Sequence, residues 1–88
     1  MEFEWDEEKA AANLAEHEVS FDEAQTVFND PLYVDFYDPD HSFDEHRYIG
    51  ESQQRRLLIV SYTERDERVR LISAREVTGS ERETYEES

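Results

Sequence analysis

RLLIVSYTERDERVRLISARE, residues 56–76, is two runs of alternating side chains joined by a short acidic link. Leu57 to Thr63 is the most apolar run in the chain, rich in the leucine, β-branched and aromatic residues that favour strands. Glu64 to Glu67 predicts a tight turn. Arg68 to Arg75 predicts the returning strand, and so short a link makes the pair antiparallel. Strict alternation on the second strand puts Val69, Leu71, Ser73 and Arg75 on one face. It puts Arg68, Arg70, Ile72 and Ala74 on the other. One face must join an apolar core, and the arginines cannot all lie within it. Arg75 falls at the strand's end, where a cation can face a shallow cleft.

Upstream of this hairpin, Ser52-Gln53-Gln54 predicts a turn and His46 to Glu51 a weaker strand, antiparallel to the next. Asp38-Pro39-Asp40-His41-Ser42 has loop composition, and Leu32 to Tyr37 alternates with the period of a half-buried strand. Before Pro31 the period changes. Asp6 is a good N-cap, with Glu7 and Glu8 at the positive end of the helix dipole, so EEKAAANLAEH predicts a helix. Its expected inward stripe is Ala11, Leu14, Ala15 and Val19. Ser20-Phe21-Asp22-Glu23 has the form of a capping box and opens a second helix, which Asn29-Asp30-Pro31 stops. Downstream, Thr78-Gly79-Ser80-Glu81 is another capping box, starting a short helix through Glu87. The expected order is helix, helix, four antiparallel strands, helix. That is an α+β fold with the helices on one face of the sheet, in a single domain spanning 1–88.

The charge is lopsided. Residues 1–46 hold 15 Asp/Glu against one Lys, and residues 47–88 hold 9 against eight Arg, within a net charge of −15. Lys9 is the single lysine. This pattern fits a surface adapted to a salty cytoplasm, or an acidic face that meets a basic partner. With no cysteine, neither disulfides nor thiolate metal sites are available, and His17, His41 and His46 form no HxxxH or HExxH pattern. No metal or cofactor is expected. No apolar run approaches the roughly 20 residues of a membrane span, and the acidic start is unlike a secretory signal, so the expected location is the cytoplasm.

Three segments together resemble the BrnT toxins. They are FEWDEEKAAANLAEHEVSFDEA at the start, DPDHSFDEHRYIG in the middle, and RLLIVSYTERDERVRLISAREVTGSERETYEE at the end. BrnT proteins are the ribonuclease members of type II toxin–antitoxin pairs, with a fold related to the RelE toxins. The resemblance implies a metal-independent endoribonuclease. It also implies a BrnA-like antitoxin partner with a ribbon-helix-helix portion, through which alone the toxin would reach DNA. Where the family commonly has Lys-His-Gly, this chain has Glu16-His17-Glu18, which suggests a different exit from the first helix.

Metal-free RNA cleavage uses the 2′-OH as nucleophile on its own phosphate. It needs a base for that proton, cations on the phosphoryl oxygens and an acid for the leaving 5′ oxygen. Arg75 and Arg47 suit the cationic role, because a guanidinium pairs bidentately with phosphate and stays charged. His41 and Glu45 suit proton transfer, Glu45 either as base or as the group orienting His41. Arg68, Arg70 and Arg82 are the candidates for RNA contact. Structural alternatives stand beside these roles: Arg75 paired with Glu76, Glu81 or Glu83, and Arg47 paired with Asp38, Asp40 or Glu45. The alternative function is a catalytically inactive, toxin-like interaction module that binds a basic partner through its acidic helical face.

Overall fold

The computed structural model describes residues 2–37 and 45–88. In chain order these are β1 (Glu2–Glu4), α1 (Glu7–His17), α2 (Phe21–Thr26) running into a 3₁₀ turn (Val27–Asn29), β2 (Val34–Tyr37), β3 (His46–Glu51), β4 (Leu57–Arg65), β5 (Arg68–Glu76) and α3 (Gly79–Glu87). The sheet has five strands in the order β1-β5-β4-β3-β2. β2 to β5 are antiparallel neighbours, whereas β1 runs parallel to β5. The expected four-stranded antiparallel sheet is therefore corrected to a five-stranded mixed one. β1 has only Phe3 as an apolar residue, too little for a period to be seen. It forms because Phe3 registers with Val69 and packs on the core, while Glu2 and Glu4 meet Arg68 and Arg70.

The β4–β5 hairpin is tighter than its composition implies. β4 runs on to Arg65, and Asp66 and Glu67 alone make the turn, both with positive φ (52° and 66°). Positive φ at both central residues matches the right-handed twist of the strands, although such positions usually hold Asn or Gly. Farther along, Tyr62 registers with Leu71 but Ser61 with Ser73, so Ile72 is an extra residue in β5. This bulge reverses the alternation. Val69, Leu71 and Ala74 all turn toward α1 and α2, and Ser73 and Arg75 turn to the opposite side. The expected grouping of Val69, Leu71, Ser73 and Arg75 on one face is thus overturned.

The main core lies between the sheet and α1/α2. It is built from Val19, Phe21, Ala24 and Val27 against Tyr48, Leu58, Val60, Tyr62, Val69, Leu71 and Ala74. Trp5 closes one end, edge-on to Phe21 at 5.9 Å. Gly50 lets the 3₁₀ turn come close, since a Cβ there would stand 2.9 Å from the carbonyl oxygen of Val27.

α1 does not bury the stripe its alanines and leucine mark. Leu14 is 51% exposed and Ala11 and Ala15 face solvent, whereas Asn13 is buried. The Asn13 amide donates to the carbonyls of Val19 (2.9 Å) and Ala74 (2.8 Å) and accepts from the N–H of Ala74 (3.0 Å). β1 ends beside Arg70, so Ala74 has no strand on that side, and the amide supplies both missing bonds. Hydrogen bonding, not apolar area, sets the rotation of α1.

Glu18 ends α1 in the left-handed conformation (φ 59°), and its N–H closes on the carbonyl of Leu14. The helix leaves by the turn usually given to glycine. The different exit expected from Glu18 does not occur. At α2 only half of the expected capping box forms. Ser20 accepts from the N–H of Glu23, but the Glu23 carboxylate turns inward to Ser52 (2.6 Å) and Arg56. Arg56 also donates to the carbonyl of Glu18 (2.9 Å), so the α1–α2 corner and the β3–β4 turn close on one buried ion pair.

α3 is not beside the other two helices. Its full capping box, Thr78 with Glu81, starts it just past the end of β5. It then lies against β3 on the reverse of the sheet, with no buried residue of its own. The expectation of helices on one face is corrected to two helices on one face and one on the other.

Candidate functional site

The register sorts the basic residues. Arg47 stands opposite Ser61, which stands opposite Ser73, and directly opposed residues share a face. Arg75 is opposite Ile59 in the next row, and Arg70 is opposite Thr63. Arg47, Arg68, Arg70 and Arg75 therefore all project from the face turned away from α1 and α2. The bulge at Ile72 is what brings Arg75 to the side of the others. From strand spacing and rise, the Cα atoms of Arg47 and Arg75 are roughly 12 Å apart. Two long side chains can close that gap on one phosphate. Between the two arginines lie the hydroxyls of Ser61, which is buried, and Ser73.

Each cation already has company. Arg75 makes a bidentate pair with Glu81 of α3 (2.8 and 3.0 Å) and donates to the carbonyl of Glu76 (3.2 Å). Each group stabilises the charge of the other: Glu81 raises the guanidinium's pKa, and Arg75 lowers that of the carboxyl. Of the structural pairings open to Arg75, Glu81 is the main one. Arg47 lies 3.3 Å from Glu45, both side chains being mostly covered. Arg68 pairs with Glu2 (3.2 Å) and Arg70 with Glu4 (3.1 Å). Arg82 is exposed on α3. Arg47, Glu45 and Arg75 thus share one region. Arg68 and Arg70 sit at the far end of β5, Arg70 roughly 16 Å along the strand from Arg75. His41 lies outside the described residues, as do Asp38 and Asp40.

α3 is held over this face by polar ties. Besides Arg75–Glu81, the Tyr85 hydroxyl donates to Asp30 (2.6 Å), which also accepts from the N–H groups of Glu51 and Leu32. Burial pushes the Asp30 carboxyl up, but these three donors outweigh it and leave it below the ordinary carboxylate range. The Tyr85–Asp30 tie is not visible in the sequence, since it joins residues 55 positions apart.

The opposite face carries a second cluster that sequence reasoning did not single out. His46 stacks on Tyr62 (5.4 Å), Tyr33 stacks on Tyr48 (4.8 Å), and Phe28 stacks on Tyr48 (4.2 Å). The Tyr62 hydroxyl donates to Asp35 (2.9 Å). Burial raises both phenols, Tyr48 to about 12 and Tyr62 further, so neither is poised to act as a base near neutral pH. Among the described residues no three His, Asp or Glu side chains converge as a metal site would need. No helix among them is long and apolar enough to cross a membrane.

Comparison with known proteins bears on this arrangement. Among curated protein sequences nothing matches the chain. Among solved structures, the crystal structure of the Brucella abortus ribonuclease toxin, BrnT, superposes with a TM-score of 0.72 at 23% identity. The match covers 89% of this chain and 97% of that one. At that identity the likeness concerns the fold. The family model described as "Ribonuclease toxin, BrnT, of type II toxin-antitoxin system" matches residues 5–81, nearly the whole chain. An α+β fold, an arginine-bearing sheet face and this match over residues 5–81 agree, and the chain belongs to the BrnT family of ribonuclease toxins of type II toxin–antitoxin systems.

Proposed function

We infer that the chain is an endoribonuclease of the cytoplasm, related in fold to the RelE toxins, that cleaves RNA without a metal and is silenced by a BrnA-like ribbon-helix-helix antitoxin. The observation that carries this reading is that Arg47, paired with Glu45, and Arg75 stand on one sheet face with Ser61 and Ser73 between them. In the reaction the 2′ oxygen attacks phosphorus while Glu45 takes its proton. Arg47 and Arg75 hold the phosphoryl oxygens, and the bond to the 5′ oxygen breaks as His41 protonates it. The products are a 2′,3′-cyclic phosphate and a 5′-hydroxyl. Arg68, Arg70 and Arg82 contact the flanking phosphates. A net charge of −15 repels RNA at a distance. Productive encounter relies on screening, which shortens that field to roughly 10 Å at 0.1 M salt.

The test is cleavage of a labelled RNA by the purified chain, with and without a chelator, together with growth arrest on induced expression. Arg75→Ala should lower the rate about a hundredfold, the usual effect of withdrawing one preorganised charge-stabilising donor. Its circular dichroism spectrum should stay unchanged. Arg75→Lys should recover part of the rate, because a point charge cannot form the bidentate contact. Undiminished cleavage by Arg75→Ala would make Arg75 a structural partner of α3. A second reading, an inactive module binding a basic partner, draws on the bidentate capture of Arg75 by Glu81. It predicts no growth arrest and no cyclic phosphate product.

A further inference from the structure

We propose that the free edge of β2 is the docking strand for an extended segment of the antitoxin, one whose side chains alternate between basic and apolar. The proposal rests on the toxin–antitoxin reading for the partner's existence, and on three observations for its place and chemistry.

The first is the edge itself. Among the described residues β2 ends the sheet and pairs only with β3, so one row of its backbone donors and acceptors has no described strand beside it. Sheets usually blunt such an edge with lysine, proline or a bulge. Residues 34–37 hold no lysine or proline, their register with β3 is unbroken, and Asp35 is the one charged residue in this four-residue strand. The opposite edge, β1, is a three-residue strand in which two residues are glutamates.

The second is exposed apolar surface concentrated there. Leu32, Tyr33, Phe36 and Tyr37 are all 38% or more exposed. Among the described residues, the other large apolar side chain so exposed is Leu14 on α1.

The third sets the sign of the partner. Beside β2 opens a cleft of about 250 Å³ lined by Phe28, Tyr33, Tyr48 and Tyr62 with the carboxylates of Asp35 and Glu64. The rings largely cover one another's faces, so it is the two carboxylates, beside an apolar wall for a side-chain stem, that suit a guanidinium or ammonium. Between Lys9 and Arg47 the sequence has no lysine or arginine to occupy it. The same charges argue against RNA. They also argue against a second copy, whose own Asp35 would be brought up to this one.

Geometry then dictates the pattern of the guest. On a strand added to β2, residues opposite Asp35 and Tyr37 share the cleft side, and residues opposite Val34 and Phe36 share the other. Basic side chains belong at the first set and apolar ones at the second. Backbone pairing supplies affinity and the cleft supplies selectivity.

A short labelled peptide alternating arginine and valine, titrated against the full chain by fluorescence anisotropy, tests this. The peptide should bind and should slow backbone amide exchange at residues 34–37. The double variant Asp35→Asn, Glu64→Gln keeps the acceptor for Tyr62 and removes both charges. It should bind about tenfold more weakly, as expected for two partly exposed ion pairs. The same peptide methylated on alternate amide nitrogens should not bind. Equal binding to parent and double variant would overturn the proposal. So would protection placed elsewhere, or protection that grows with protein concentration without peptide, the mark of a second copy. RNA cleavage is measured on the same preparation. A chain that cleaves RNA but ignores the peptide overturns the docking alone. A chain that binds the peptide but does not cleave supports the docking and speaks against the nuclease.

Discussion

Asn13 is the residue on which α1 depends. Its amide satisfies the N–H and carbonyl of Ala74 and the carbonyl of Val19, all in a buried place. Asn13→Ala should destabilise the protein by about 3 kcal/mol, since buried backbone groups left unpaired carry their full desolvation cost. Urea unfolding checks this, and a loss below about 1 kcal/mol would show that water replaces the amide. Nothing in the sequence marked Asn13. Read by period, the apolar residues gave the stripe Ala11, Leu14, Ala15, and one hydrogen-bonding side chain outweighed it. Glu23 is a comparable case. A capping box predicts that its carboxylate returns to the helix start, but the half-buried Arg56 beyond it is the stronger attraction. The hydrogen bond from Arg56 holds the Glu23 carboxyl below its ordinary 4.5, against the upward push of burial. The stability this pair gives is therefore full above pH 4.5 and lost as pH falls through the lower folded value. Glu23→Gln should cost about 1–2 kcal/mol at pH 7, since the half-buried Arg56 loses a charged hydrogen-bond partner but keeps some water. It should also flatten the fall in urea midpoint below pH 4.5 relative to the parent. Parallel acid profiles for the two proteins would place the acid loss elsewhere.

Among the elements, β3, β4 and β5 were legible because each pairs its period with a turn of recognisable chemistry. β1 was not, since its three residues gain a strand's conformation only from β5. The bulge was equally silent, for Ile72 differs from its neighbours in nothing but register. That silence put Arg75 on the wrong face. Strict alternation put Arg75 with Val69 and Leu71, and the extra residue moved it to the arginine face. Arg47 and Arg75, named as candidates for their chemistry with phosphate, lie on that one face, with Glu45 beside Arg47. Glu81, the partner of Arg75, stood only as one of three open pairings. α3 carries that partner, and its carboxylate takes both guanidinium donors of Arg75 that the nuclease reading would give to a phosphate. Glu81→Gln should therefore tighten binding of a labelled RNA several-fold, measured by anisotropy at low salt, while costing at most about 1 kcal/mol in stability for a partly exposed pair. Unchanged or weaker RNA binding would mean that α3 leaves the arginine face open as it is.

On the scale of the whole molecule, the excess of carboxylates is the dominant fact. Among the described residues Arg47, Arg56, Arg68, Arg70 and Arg75 are ion-paired, so most of the positive charge is spent locally. The remaining carboxylates repel one another across a small chain. Thermal melting should rise markedly between dilute buffer and molar salt as that repulsion is screened. A melting temperature that stays flat over this range would mean that the loss of surface ion pairs cancels the gain.

The closure of the sheet also has a consequence in time. β1 and Asn13 both complete themselves on β5, the last strand to be synthesised. At about 5–20 residues per second, some 3 to 12 s separate the making of Asn13 from the making of Ala74. During that interval α1 has no sheet strand to dock on, and the arginine face does not exist. A nascent chain on the ribosome thus exposes the free amphipathic pieces of the fold but not its basic surface, and only a finished molecule presents Arg47 and Arg75 together.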